Sequence, residues 1–195
     1  MQTSELRNIQ LLAQKLSVQW SMFDELYNVH ENYDVFQKTG PVFWGELEDM
    51  LLDTLMLSIS RFLDPASNHA QENLCLEACL DLAIDSNARD LWNAELIKIR
   101  KLGSGVQKWR NKKISHSDKE FATGVRTLPT IQFAEIKSLI EAIVEFVRKV
   151  TLYACDHDIG FVSPVRFWVP QVMQYLKDGI RYKAEQTGGE SGSRR

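Results

Sequence analysis

The chain is poor in residues that tie a fold together through covalent bonds or metal. Its 195 residues hold three cysteines and four histidines. Cys75 and Cys79 lie one helical turn apart and Cys155 is distant, so no CxxC pair exists and no second pair completes a zinc site. An odd count of thiols is expected to be buried or half-buried in a reducing compartment. No run approaches the length of a membrane-spanning helix. The opening residues MQTSELRNIQ lack the apolar stretch and small-residue cleavage site of a signal peptide. A cytoplasmic protein with no membrane segment, no structural metal and no cofactor is therefore expected. Alternating β patterns are nearly absent, and there is no internal repeat.

What is present is helical periodicity. A composition 44% hydrophobic and 25% charged suits one well-buried core, or a core with an appended segment. Ile9, Leu12, Leu16, Trp20, Phe23, Tyr27 and His30 step by three or four, which predicts one long helix from about residue 4 into the thirties, broken by Thr39-Gly40-Pro41. A second helix should present Phe43, Leu47, Met50, Leu51, Thr54, Leu55, Ser58 and Phe62 on one face and end at Asp64-Pro65. After a polar loop, a short helix with Leu74, Ala78 and Leu82 inward is expected. Trp92, Leu96, Ile99, Leu102, Val106 and Trp109 then keep one register across Gly103-Ser104-Gly105, giving either one kinked helix or two broken there. Ile136, Ile140, Ile143, Val147, Val150 and Tyr153 mark another strong helix. Pro164 and Pro170 bracket a turn, and Val172, Tyr175, Leu176 and Ile180 mark a shorter last helix. The expected fold is all-α: an up-and-down bundle of four or five main helices over residues 1–160, a short C-terminal helix over 161–186 packed on it, and a disordered tail over 187–195.

The net charge of −3 hides an uneven distribution. Lys98, Arg100, Lys101, Lys108, Arg110, Lys112 and Lys113 fall in one stretch without an acidic residue, which fits a placed anion site or a solvated helix face. The stripe ends in Arg110-Asn111-Lys112-Lys113-Ile114-Ser115-His116. An arginine neutralises phosphate through paired N–H donors, and a histidine moves protons near neutral pH. On a regular helix, residues six apart differ in direction by about 120°. Arg110 and His116 can converge only where the helix ends between them or where a second copy supplies the other half.

This Arg-to-His pattern late in a helical bundle resembles the signature of the HEPN superfamily. Ser58-Ile59-Ser60-Arg61-Phe62-Leu63-Asp64-Pro65, Asn73-Leu74 and Ile114-Ser115-His116-Ser117-Asp118 are similar to the abortive-infection branch, the type U proteins of phage defence, over roughly residues 10–155. The resemblance implies a metal-independent endoribonuclease of phage-defence or toxin–antitoxin type, usually dimeric, that cleaves RNA by attack of the ribose 2′-hydroxyl. Arg110 would stabilise charge on the scissile phosphate and His116 would act as general base or acid. Asn111 would orient the imidazole or hold a phosphate oxygen, and Lys108, Lys112 and Lys113 would bind the RNA backbone. Some members carry a tyrosine two residues after the histidine, where a nucleotidyltransferase partner attaches AMP. Here that position is Asp118, which would instead pair with Arg110 or hold His116. An antitoxin or nucleotidyltransferase is the implied protein partner.

Other readings compete. A HEPN bundle can bind nucleotide, RNA or a protein partner without cutting. Arg61, followed by Asp64, fits either a structural ion pair at the helix end or a place beside the cleft. Trp92 and Trp109 fit the core or a base-stacking edge. His157-Asp158 matches the metal-ligating pair of HD phosphohydrolases, with His116 and Asp178 as the only convenient completing ligands.

Overall fold

The computed structural model describes residues 3–68, 71–111, 130–156, 158–160 and 165–190. Over these the chain is helical apart from one tiny hairpin. Helices α1 (Thr3–Tyr27), α2 (Glu31–Thr39) and α3 (Pro41–Leu63) come first. A two-residue antiparallel pair follows, β1 (Ser67–Asn68) with β2 (Gln71–Glu72), then a 3₁₀ segment (Glu77–Leu82). Helices α4 (Ser86–Leu102), α5 (Ser104–Arg110), α6 (Phe133–Cys155) and α7 (Val165–Glu190) complete the order. The all-α bundle expected from periodicity is what the chain forms. Among the described residues no helix is long and apolar enough to cross a membrane.

The buried positions show why these segments are helices. In α1, Leu6, Ile9, Ala13, Leu16, Trp20, Phe23 and Leu26 are all buried, at spacings of three or four. In α6, Ile136, Leu139, Ile140, Ile143, Phe146, Val147 and Val150 recur in the i, i+3, i+4, i+7 pattern of a single buried face. Helix α6 starts in a capping box: the Gln132 side chain and backbone are reciprocally bonded with Glu135.

Three local expectations are corrected. The first helix does not continue into the thirties but stops at Tyr27. The buried Asn32 donates its side-chain amide to the carbonyls of Glu25 (2.9 Å) and Leu26 (3.0 Å), satisfying acceptors that helix continuation would have paired. In α3 the buried residues are Leu55, Met56, Ile59, Ser60, Phe62 and Leu63, whereas Phe43 and Met50 are exposed. In the segment after the hairpin, which is 3₁₀ from Glu77 to Leu82, Cys75, Leu76, Cys79 and Leu80 are buried rather than Leu74, Ala78 and Leu82. The break at residues 39–41 is as expected: Gly40 takes φ +143°, and Pro41 opens α3, where its missing N–H is harmless.

The chain forms two compact units, one of Met1–Trp20 with Asp53–Val162 and one of Ser21–Leu52 with Ser163–Arg195. In the first, α4 packs on α6. Gln10 Nε2 bonds Thr151 Oγ1 (3.0 Å), tying α1 to α6. Trp92 meets Tyr153 edge-on at 5.0 Å, and the Tyr153 hydroxyl donates to Asp85, the N-cap of α4. The second unit has its own small core of Leu26, Val35, Phe36 and Met173, with Tyr27, Trp44, Leu51, Val169, Leu176 and Ile180 packed around it. Helix α7 begins at Val165 and runs through Pro170 for 26 residues, so residues up to Pro170 form its first turns where a turn and a shorter helix were expected. Pro170 removes the N–H that would reach the Arg166 carbonyl and its ring crowds that carbonyl, while Val169, Met173, Leu176 and Ile180 pack in the small core on both sides of the proline.

Candidate functional site

The site is built where α3 ends and α5 passes. Helix α3 stops because Pro65 follows Asp64 and cannot donate. Its last carbonyls are taken by residues from elsewhere: Leu76 N–H reaches the Phe62 carbonyl (3.1 Å) and Gln107 Nε2 reaches that of Leu63 (3.3 Å). The segment beyond is pinned by Asn73, whose N–H bonds Ala66 O and whose amide bonds Pro65 O. Glu77 then accepts from the Ala66 N–H (2.7 Å) and from both Arg100 terminal nitrogens (3.0 and 3.5 Å). The Arg100 hydrogen bond, then the Ala66 N–H, hold the Glu77 carboxyl below its ordinary value.

Gly103, between α4 and α5, sets how closely these elements approach. A Cβ there would meet Leu63 Cδ1, so any other residue would force the buried Leu63 side chain to move where the α4–α5 junction lies on the end of α3. Its N–H bonds Ile99 O and its carbonyl accepts from Gln107, so the two helices keep nearly one register across the bend. That register delivers Gln107 and Arg110, three residues apart, to the α3 end together.

Arg110 Nη2 lies 3.3 Å from Asp64 Oδ1, with the two side chains 26% and 25% exposed. One N–H is thus committed to a carboxylate. The buried Arg110 Nε has no hydrogen-bond partner among the described residues. A guanidinium has five donors, and the described residues engage one nitrogen, Nη2.

Of the two readings of Arg61, an ion pair with Asp64 at the helix end or a place beside the cleft, the ion pair is not formed. Asp64 lies past the last helical residue, in the bend, where i to i+3 helix geometry no longer applies, and it takes Arg110 instead. Arg61 is exposed and forms no ion pair among the described residues; it lines a shallow recess with Lys15 and Ser58. Ser60 on α3 bonds back to the Met56 carbonyl of its own helix (2.8 Å).

The basic stripe is divided in two. Arg100 and Arg110 are engaged by Glu77 and Asp64, whereas Lys98, Lys101 and Lys108 face solvent. Lys98 and Lys101 edge a groove of about 840 Å³, floored by Val106, Ile131, Ile136 and Leu139. Trp92 and Trp109 are buried core residues. Asn111 caps α5 through its N–H to Gln107 and Lys108 carbonyls and is exposed. Lys112, Lys113, His116 and Asp118 lie outside the described residues, as does His157.

The competing metal reading finds no support where it is visible. Asp158 is clamped by Arg148 through two bonds of 2.6 Å, which hold its carboxyl low and place a cation where a metal would sit. Asp178 bonds Gln174 and Arg181. Among the described residues no group of three metal-ligating side chains converges.

Glu77 and Gln107 are site-building residues that the sequence reading missed. Gln107 carried a usable signal, its three-residue spacing from Arg110; Glu77 had none, because its partner lies 23 positions away.

A family model described as HEPN_AbiU2 (AbiU2) matches residues 3–156, well over half of the chain. The match spans the Asp64–Arg110 pair and the segment through His116 and Asp118, and it ends before α7. No curated protein and no solved structure matches. With its all-helical fold and a match of this extent, the chain belongs to the AbiU2 family of HEPN-type abortive-infection proteins.

Proposed function

We propose that this protein is a metal-independent endoribonuclease that acts in phage defence or within a toxin–antitoxin pair. The observation that carries this reading is Arg110: a half-buried guanidinium at the end of α5, held from one side by Asp64, with its Nε unpartnered among the described residues and His116 six positions on. Arg110 would offset charge building on the non-bridging oxygens of the scissile phosphate. The 2′-oxygen attacks phosphorus and the 5′-oxygen leaves, giving a cyclic phosphate and a 5′-hydroxyl. One proton must leave the 2′-hydroxyl and one must reach the 5′-oxygen. A single imidazole cannot sit in line on both sides at once, so two copies of His116 across a homodimer cleft would divide these roles. Asn111 would orient the imidazole or hold a phosphate oxygen. Lys98, Lys101, Lys108, Lys112 and Lys113 would bind the RNA backbone with salt-dependent affinity. A protein antitoxin or a nucleotidyltransferase is the partner class, with Asp118 arguing against AMP attachment at that position. We place the protein in the cytoplasm.

The test is RNA cleavage by purified protein in EDTA. Arg110→Ala and His116→Ala should each abolish it while the helical circular-dichroism spectrum persists. Cleavage that survives both substitutions would overturn the assignment. A protein that is monomeric at micromolar concentration and still cuts would rule out the composite site. One observation favours a second reading, a bundle that binds RNA, nucleotide or protein without cutting: Asp64 already occupies part of Arg110. Unaltered RNA, bound in a manner that depends on Arg110, would select it.

A further inference from the structure

The second unit carries a concavity that the RNA-cleaving site does not use. The end of α1, helix α2 and the start of α3 enclose a bowl of about 480 Å³, within the range of small-molecule sites. Its wall is aromatic: Tyr27, Tyr33, Phe36 and Trp44. The wall is fixed from within. Phe36 and Trp44 stack with centroids 4.5 Å apart, and Tyr27 leans on Phe36 at 5.4 Å. The Tyr27 hydroxyl donates to the Trp44 carbonyl (2.9 Å), and the Trp44 indole N–H donates to Thr39 Oγ1 (2.9 Å).

The polar side of the bowl is unused. Glu48 is half-buried yet forms no hydrogen bond or ion pair among the described residues, while Gln37 and Tyr33 at the rim are exposed and also form none there. Half-buried charges are ordinarily paired, because leaving water without a partner costs free energy. Burial, then the neighbouring Asp49, push the Glu48 carboxyl above its usual range. A half-buried carboxylate without a partner beside a fixed aromatic wall is more than a core edge requires.

We propose that this bowl binds a small organic cation with an alkylated ammonium head, seated against the aromatic faces with Glu48 as its counter-charge. The faces of aromatic rings carry negative potential and attract cations without demanding dehydration of a compact ion. Glu48 adds the charge that separates a cation from a neutral ligand of equal shape, and it repels phosphate. Gln37 and Tyr33 remain free to bond a hydroxyl or carbonyl on the ligand's tail.

Isothermal titration of the full chain with choline tests the idea, using 3,3-dimethylbutan-1-ol, in which carbon replaces the nitrogen, as the neutral twin. Choline should bind saturably and at least about tenfold more tightly than the twin, and Glu48→Gln should weaken it by about tenfold. Tyr33 is 59% exposed, so Tyr33→Ala leaves the fold in place and should weaken choline several-fold even if the Glu48 variant unfolds. Equal affinity for choline and its twin would overturn the proposal, as would no saturable heat up to about 50 mM choline. Adenosine binding more tightly than choline would also overturn it, in favour of a neutral stacking site.

Discussion

Replacing Asp64 with asparagine isolates what the carboxylate does to Arg110. The side-chain shape and one acceptor oxygen remain, and only the charge is lost. At 3.3 Å and an effective dielectric constant of about 20, the pair attracts by about 5 kcal/mol before solvation is counted. Both groups are about three-quarters buried, so desolvation cancels most of that, and the contact is a single bond rather than a bidentate clamp. Exposed pairs contribute about 0–1 kcal/mol and fully buried ones cost about 3–5 kcal/mol to break, which places this one near 1–2 kcal/mol. Asp64→Asn should therefore lower unfolding free energy by about 1 kcal/mol in urea. A cycle with Arg110→Gln should return a coupling energy of about 1 kcal/mol. On the proposed ribonuclease reading Asp64 competes with phosphate for the guanidinium, and the variant should also bind RNA about fivefold more tightly at fixed salt. The assays are urea denaturation followed by circular dichroism and fluorescence polarisation with a short labelled RNA. A coupling within about 0.3 kcal/mol of zero would show that the pair does not hold Arg110. Weaker RNA binding by Asp64→Asn would show that Asp64 positions the guanidinium rather than competing for it.

Gly103→Ala should cost about 1–3 kcal/mol in urea denaturation, since its methyl group meets Leu63 Cδ1, and Leu63→Ala in the same chain should recover part of the loss. Glu77 has its carboxyl lowered in the folded state, so its contribution is complete above the unfolded value of 4.5 and is lost as pH falls below it. Melting temperature measured from pH 7 to pH 3 should thus drop less steeply for Glu77→Gln. With both partners about one-third exposed, the difference should stay below about 1 kcal/mol. Burial pushes the Cys79 thiol up to about 12, and Cys75 is raised too, so a thiol reagent at pH 8 should label only the half-buried Cys155 until the chain unfolds.

The helices that were legible in the sequence are those whose apolar spacing alone settles their burial. Helix α6 is one: a single face from Ile136 to Val150 needs no outside information. The stop after Tyr27 was illegible, because it depends on Asn32 turning its amide back onto carbonyls six and seven residues earlier. Phe43 and Met50 fit the apolar period of α3 but are exposed, since α3 serves one core at its end and another at its start. At the site, periodicity and charge singled out Arg110, but not its partner. Asp64 is 46 positions away and Arg61 stood closer in sequence. Ion pairs between elements leave no local trace, whereas helix faces repeat and can be read.

The interleaving of the two units limits how this protein can be shortened. The family match stops at residue 156, which invites expression of that segment alone. Such a truncation would remove α7 and with it Met173, 2% exposed, from a core whose other buried members, Leu26, Val35 and Phe36, all lie inside the matched region. Those side chains would then face water on a fragment whose boundaries look sound by sequence. Insolubility of the fragment would report on the cut, not on the family domain. Tags and fusions are better placed beyond the end of α7.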